Sequence, residues 1–245
     1  MNIVLFEGEP FFPKGDERFQ HIRKILKLGV GDVFFAGLVD GDQGSATITR
    51  MDDSGVAFDF RAERPMRALN PVHVIIGFPR PIQLKRLLRD VASLGAAAVH
   101  LTGTELGEKS YLESSLAEYD AVRACLVDGV VQSGATAVPS LALHPSVRDT
   151  IEALAAVPYA ARILLDVENP SCSLARFPFP TVSAPSPLLL AIGSERGWTS
   201  GERALFRESG FVVCSLGGRI LRTETAATAA LSIALANIDC MEGLA

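Results

Sequence analysis

The sequence predicts an α/β protein in which a small N-terminal β-barrel precedes a larger α/β domain. Residues 1 to about 60 carry short β-prone runs separated by Asp- and Gly-rich turns. A stretch with two prolines and three arginines, Arg61 to Pro71, follows as a linker. From Val72 onward, strand and helix signals alternate, which is the pattern of a parallel sheet with crossover helices. The expected domains are residues 1–67 and 71–245.

In the first domain the expected strands are Ile3 to Phe6, Val33 to Ala36, Ser45 to Thr49 and Val56 to Phe60. A helical segment around Phe19 to Leu28 carries Arg23, Lys24 and Lys27 with no acid among them. In the second domain the run Val72 to Phe78 is a buried strand. Leu84, Leu87, Leu88, Val91 and Leu94 then recur at helical spacing, and Gly95 ends that helix. Further strands are expected at Ala97 to Leu101, near Leu141, and at Ile163 to Val167, Leu188 to Ile192 and Phe211 to Ser215. Helices are expected around Ser114 to Gln132, around Val147 to Ala156, from the Thr199–Glu202 capping box to about Ser209, and from Thr223. The last of these presents a small-residue face, Ala227 to Ala234, suited to core packing or to a second helix.

Composition narrows the function. With 48% hydrophobic and only 7% aromatic residues, the core of this 245-residue chain is built from Ala, Val, Leu and Ile. The four cysteines lie far apart and form no C-x-x-C pair, so they read as reduced core thiols of a cytoplasmic protein. No apolar run reaches transmembrane length. The formal net charge of −5 excludes a uniformly basic coat, leaving only local basic surfaces for nucleic acid. Dinucleotide, Walker A, nucleophile-elbow and zinc-protease motifs are missing, and His21, His73, His100 and His144 are scattered, so no metal is expected.

Two glycine-bearing stretches follow strands directly: Ile192-Gly193-Ser194-Glu195-Arg196-Gly197-Trp198, and Ser215-Leu216-Gly217-Gly218-Arg219-Ile220-Leu221-Arg222-Thr223-Glu224-Thr225. Ligands of open α/β sheets lie beyond the carboxyl ends of strands, and glycine there admits close backbone approach. Either stretch alone is equally well a tight turn into a helix.

Together they carry a resemblance. Ser215 to Ala226 match at every specified position the Ser-Leu-Gly-x-Arg-Ile-Leu-Arg-x-Glu-Thr-Ala signature of the 16S ribosomal RNA uridine-N3 methyltransferase family (RsmE), of the SPOUT class of knotted methyltransferases. Ile192, Gly193, Glu195 and Gly197 match that family's Ile-Gly-Pro-Glu-Gly-Gly-Phe-Ser loop, with Trp198 and Thr199 replacing its aromatic and hydroxyl residues. His21 to Leu26 sits where the family has His-x-x-x-Val-Leu-Arg. The sequence departs from the family at Ser194 and Arg196, where proline and glycine are usual. It departs again at Val131 and Ala135, which replace an acid and an arginine. Lys109-Ser110-Tyr111 is a candidate replacement for that arginine.

The resemblance implies a PUA-like RNA-binding barrel, a SPOUT domain with a C-terminal trefoil knot, and a homodimer paired through the knot region. It implies S-adenosylmethionine as cofactor, held largely by backbone groups of Leu165, Ile192, Gly193, Glu195, Gly197, Leu216, Gly217, Ile220 and Leu221. Glu195 also suits a bracing role through backbone donors. The implied reaction is methylation of N3 of a uridine in 16S ribosomal RNA of the small subunit. As the ring proton leaves, charge spreads onto O2 and O4, which Arg219 or Arg222 can stabilise. Arginine keeps its proton in proteins, so Glu224 is the nearer proton acceptor. A helix-terminal role for Glu224 is equally consistent. Arg23, Lys24, Arg80, Arg86 and Arg219 are the candidate RNA contacts, and Lys85 and Arg89 accompany them. Two other readings stand beside this one. One is a non-catalytic RNA- or ribosome-binding relative, and the other is a same-fold methyltransferase acting on another RNA.

Overall fold

The computed structural model describes residues 3–108 and 118–241. Two compact units emerge: residues 1–68 with 130–138, and residues 69–129 with 139–245.

The first unit is a five-stranded sheet of β1 (Val4–Phe6), β2 (Phe11–Pro13), β3 (Val33–Leu38), β4 (Gln43–Met51) and β5 (Gly55–Arg64), ordered β1-β3-β4-β5-β2. Only the β1–β3 pair is parallel. Period-two alternation turns Phe34 and Ala36, Ala46 and Ile48, and Val56 and Phe58 inward. There Phe58 meets Phe6 and Phe34 edge-on at 5.2 and 5.3 Å. Strand β2, not expected from sequence, is three residues long, and its Pro13 sits on an edge strand, where proline is tolerated. The expected helix is shorter than its pattern suggested. Helix α1 (Glu17–Gln20), capped by Asp16, passes into a π-helical turn, His21–Ile25, and Lys27 at φ +56° breaks it. The expected linker also shrinks. Strand β5 runs through Arg64, paired with Gln43, so its arginines are solvent-facing strand residues, and only 65–69 connect the sheets.

The second unit holds seven parallel strands in the order β10-β12-β9-β11-β6-β7-β8. They are β6 (Asn70–Gly77), β7 (Ala96–Thr102), β8 (Ser140–His144), β9 (Ala161–Leu165), β10 (Cys172–Ser173), β11 (Leu188–Ile192) and β12 (Val212–Ser215). Strand β11 is covered on both faces and buried throughout, which explains its unbroken apolar run. The described helices are α2 (Pro81–Ser93), α3 (Tyr119–Ser133), α4 (Val147–Leu154), α5 (Ser200–Glu208) and α6 (Thr223–Asn237). The start expected near Ser114, and Lys109-Ser110-Tyr111, lie outside the described residues. Gly95 adopts φ +72° after α2, and the Thr199–Glu202 capping box opens α5.

Helix α6 packs on α2, β6, β11 and a 3-10 turn, Leu174–Arg176. Its small face, Ala227, Ala230 and Ala234, is therefore used up inside the unit. Leu165 pairs with both Ile192 and Cys214, so β9, β11 and β12 end level with one another. The chain segments leaving these three strands emerge side by side.

Candidate functional site

The segment after β11 is braced at both ends. The Gly197 amide, at φ +68°, donates to the Ser194 carbonyl over 2.9 Å and closes a tight turn. Trp198 is buried against Phe206 of α5, ring centres 4.8 Å apart. From the side, Glu195 Oε1 accepts from the Arg80 amide at 2.9 Å, where α2 has no side-chain cap of its own. Ser194 Oγ lies 3.3 Å from Thr104 Oγ1. The buried carboxylate of Glu202 accepts from the Thr199 and Glu105 amides at 2.8 and 2.9 Å, fixing the exit of this loop.

The segment after β12 is more open. Gly217 takes φ +108°, a conformation that side chains resist, and no atom lies within 4 Å of where a Cβ would be. Ile220 is 88% exposed, unusual for an isoleucine. Arg222, also exposed, is the N-cap residue of α6 and makes no side-chain cap.

The segment after β9 supplies the floor. Asp166 has only 6% of its side chain exposed and receives Arg203 Nε at 2.7 Å. Arg203 Nη1 reaches Glu168 Oε2 at 2.7 Å. The hydrogen bond from Arg203 to Asp166, helped by both carboxylate charges, raises the guanidinium pKa above its ordinary value.

These segments enclose an open-mouthed cleft of about 140 Å³. Of the residues proposed to hold a cofactor, Leu165, Ile192, Gly193, Glu195, Gly197, Leu216, Ile220 and Leu221 all line it. Gly217 forms the turn behind Leu216. Arg219, expected to touch RNA, lines the cleft as well. Arg222 and Glu224 do not line it but flank Thr223, which does. Glu224 Oε2 is buried without a hydrogen-bond partner among the described residues. Arg23 and Lys24 are exposed on the π-turn of the first unit, and Arg80 and Arg86 are exposed on the second. Arg89 is engaged with Asp128 at 2.6 Å.

Sequence reasoning missed Asp166, Val167, Ser194, Trp198, Thr223 and Ala226 as cleft walls. For Asp166 and Val167 the strand-end rule could have found them, had β9 been ended at Leu165. The walls combine apolar leucines and isoleucines with the Arg203-paired Asp166 carboxylate and the Trp198 Nε1 donor, buried and without a partner among the described residues. Among the described residues, no group of three or more His, Cys, Asp or Glu converges as a metal site.

A family model described as an RNA methyltransferase domain matches residues 66–235. The ribosomal RNA small subunit methyltransferase E of Treponema pallidum (strain Nichols) is 42% identical, over 97% of this chain and 91% of its own length. The ribosomal RNA small subunit methyltransferase E 1 of Borreliella burgdorferi is 28% identical, over 94% and 95%. Among solved structures, a ribosomal RNA small subunit methyltransferase E from Neisseria gonorrhoeae bound to S-adenosyl methionine superposes with a TM-score of 0.75 at 20% identity, covering 96% of this chain and 97% of that one. A Legionella pneumophila protein in complex with bound SAM gives a TM-score of 0.79 at 21% identity, covering 96% and 97%. These two structural likenesses establish the fold.

Proposed function

The chain belongs to the ribosomal RNA small subunit methyltransferase E family of RNA methyltransferases, and on that premise we propose that it methylates N3 of a uridine in 16S ribosomal RNA, using S-adenosylmethionine. The observation that carries the reading is the cleft where β9, β11 and β12 end level, walled by both glycine-bearing loops.

When bound, S-adenosylmethionine supplies an electrophilic methyl group on a sulfonium. The chain's own residues do the rest. Backbone groups of the two loops and the apolar side chains of Leu165, Ile192, Leu216 and Leu221 hold the donor. Asp166, paired with Arg203, closes the floor beneath the donor. Arg219 and Arg222 stabilise the negative charge that grows on O2 and O4 of the uracil ring. Glu224, next to the cleft-lining Thr223, is the acceptor of the N3 proton in this reading.

Residues 1–67 act as a PUA-like RNA-binding domain, with Arg23 and Lys24 on phosphates. Residues 71–245 form the SPOUT domain, with Arg80 and Arg86 as further RNA contacts. A trefoil knot is supported by the path of the chain. After β12, on the far side of β9, it returns past the Leu174–Arg176 turn to lay α6 against α2. Exposure of Ile220 at the cleft mouth supports a homodimer paired through the knot region. Acting on the ribosome, the enzyme works in the cytoplasm.

The test is incubation of purified protein with unmodified small subunits and labelled methyl donor, followed by nucleoside mass spectrometry and mapping. N3-methyluridine at one site in 16S RNA is the expected product. Donor binding without transfer to any RNA points to a binding protein, and a labelled transfer RNA points to a different substrate.

A further inference from the structure

Strands β10 and β12 place two thiols opposite each other. Cys172 and Cys214 are direct register partners, and their sulfurs lie 3.7 Å apart, both unbonded. Neither lines the cleft, but each lies close to one of its walls. Cys172 follows the Asp166–Val167 floor by five residues, and Cys214 precedes Leu216 by two. Backbone bonds already knit the segments together, from the Asp166 amide to the Cys214 carbonyl at 3.1 Å and from the Ser171 amide to the Val213 carbonyl at 2.8 Å.

We propose that this pair is an oxidisable dithiol, closed to a disulfide by a hydroperoxide, whose bond ties two walls of the donor cleft together. The part concerning donor release rests on the reading of the cleft as the S-adenosylmethionine site. The geometry needs little change. Neighbouring strands hold Cα atoms within disulfide range, and rotation about the two Cα–Cβ bonds brings the sulfurs to about 2.05 Å.

The chemistry divides by exposure. Cys172 is half-buried and Cys214 is buried, and burial next to the other sulfur pushes the Cys214 thiol up to about 12. Cys172, the more exposed of the two, therefore gives up its proton to solvent and attacks the peroxide first. A sulfur–oxygen bond forms, the oxygen–oxygen bond breaks, and the leaving hydroxide takes up a proton as water. Cys214 sulfur then attacks the sulfenic sulfur of Cys172. The sulfur–sulfur bond forms, the sulfur–oxygen bond breaks, and the Cys214 proton departs with the leaving hydroxide as a second water. Two thiols are oxidised by two electrons and one peroxide is reduced.

The bond closes a ring that contains the whole 192–198 loop, and it fixes the 166–171 segment to the root of the 215–221 loop. Donor exchange that requires these walls to part is slowed.

The test treats the full-length protein with hydrogen peroxide, quenches free thiols with an alkylating agent, and identifies linked peptides by mass spectrometry. A Cys172–Cys214 linked peptide that vanishes with dithiothreitol is expected, together with a melting temperature raised by about 5–10 °C. Donor release followed by stopped flow is expected to slow about threefold or more in the oxidised protein. The variants Cys172→Ser and Cys214→Ser bind donor with wild-type kinetics and lose the peroxide response. Absence of the linked peptide, with the thiols recovered alkylated or over-oxidised, overturns the dithiol assignment. A linked peptide with unchanged donor release overturns the coupling to the cleft. If reduced protein binds no donor at all, the proposed function fails while the linked peptide still decides the dithiol.

Discussion

The wall of the cleft formed by residues 192–198 rests on the end of β6, and Gly77 is the point of contact. A Cβ at Gly77 would lie 2.6 Å from the Ser194 amide nitrogen, 2.9 Å from Thr104 Cγ2 and 3.2 Å from the Gly193 carbonyl carbon. To restore an ordinary 3.4 Å contact the Ser194 backbone must retreat by about 0.8 Å. It cannot do so freely, because Glu195 is tied to the Arg80 amide and Gly197 to Ser194. The predicted result of Gly77→Ala is an overpacking cost of about 1–3 kcal/mol, which lowers the melting temperature by roughly 5 °C. Displacements of about 1 Å in a positioned site cost on the order of 10²-fold in function, so donor affinity should fall at least about tenfold. Scanning calorimetry and isothermal titration with S-adenosylmethionine measure both effects. Gly15→Ala, with open space around it and an ordinary φ, serves as the control and leaves donor binding unchanged. A Gly77→Ala protein that melts lower yet binds donor with full affinity refutes the claim that this loop forms the donor wall.

Other expected outcomes concern the remaining walls and the buried histidines. Arg222→Ala nearly abolishes methyl transfer while leaving donor affinity mostly intact, and unchanged turnover removes Arg222 from the mechanism. Arg203→Met leaves Asp166 buried without its counterion and destabilises the protein by about 3 kcal/mol in chemical denaturation. Adding Asp166→Asn recovers most of that loss, and no recovery indicates that packing of the arginine stem dominates. His100 is held near pKa 4 by burial first and then by its neighbours His144 and His73, so the folded state refuses a proton that the unfolded chain binds near 6.5. Its stabilisation is complete above pH 6.5 and is lost as the pH falls toward 4, by about 3 kcal/mol. Melting temperatures recorded from pH 7 to pH 4.5 should fall, and a His100→Asn variant should flatten the curve. A level wild-type profile contradicts this assignment.

What could be read from the sequence followed from local pattern. The β-prone runs at β3 to β5, the apolar run of β11 and the Thr199–Glu202 capping box each arise within one segment, and each appears in the structure where the pattern put it. The two glycine-bearing loops were legible as loops because strands ending in glycine-bearing turns are local features too, while their reading as a donor site came from the family resemblance. Asp166 was less so. Its partner Arg203 is far along the chain, and only the level ends of β9, β11 and β12 bring the floor beneath the loops. The π-turn at His21–Ile25 was invisible because its apolar spacing matches an ordinary helix, and what ends it is the left-handed Lys27. The two-residue strand β10 exists only through its pairing with β12, which no propensity at Cys172 and Ser173 encodes. The small face of α6 suited core packing most simply, and it packs on α2.

A crystal structure of the protein with S-adenosylmethionine addresses the donor cleft most directly. The account predicts the donor between residues 192–198 and 215–221, with Asp166 beneath it and its methyl group facing the side where Arg219 and Arg222 stand. Donor lodged anywhere else, or these two loops found apart, contradicts it.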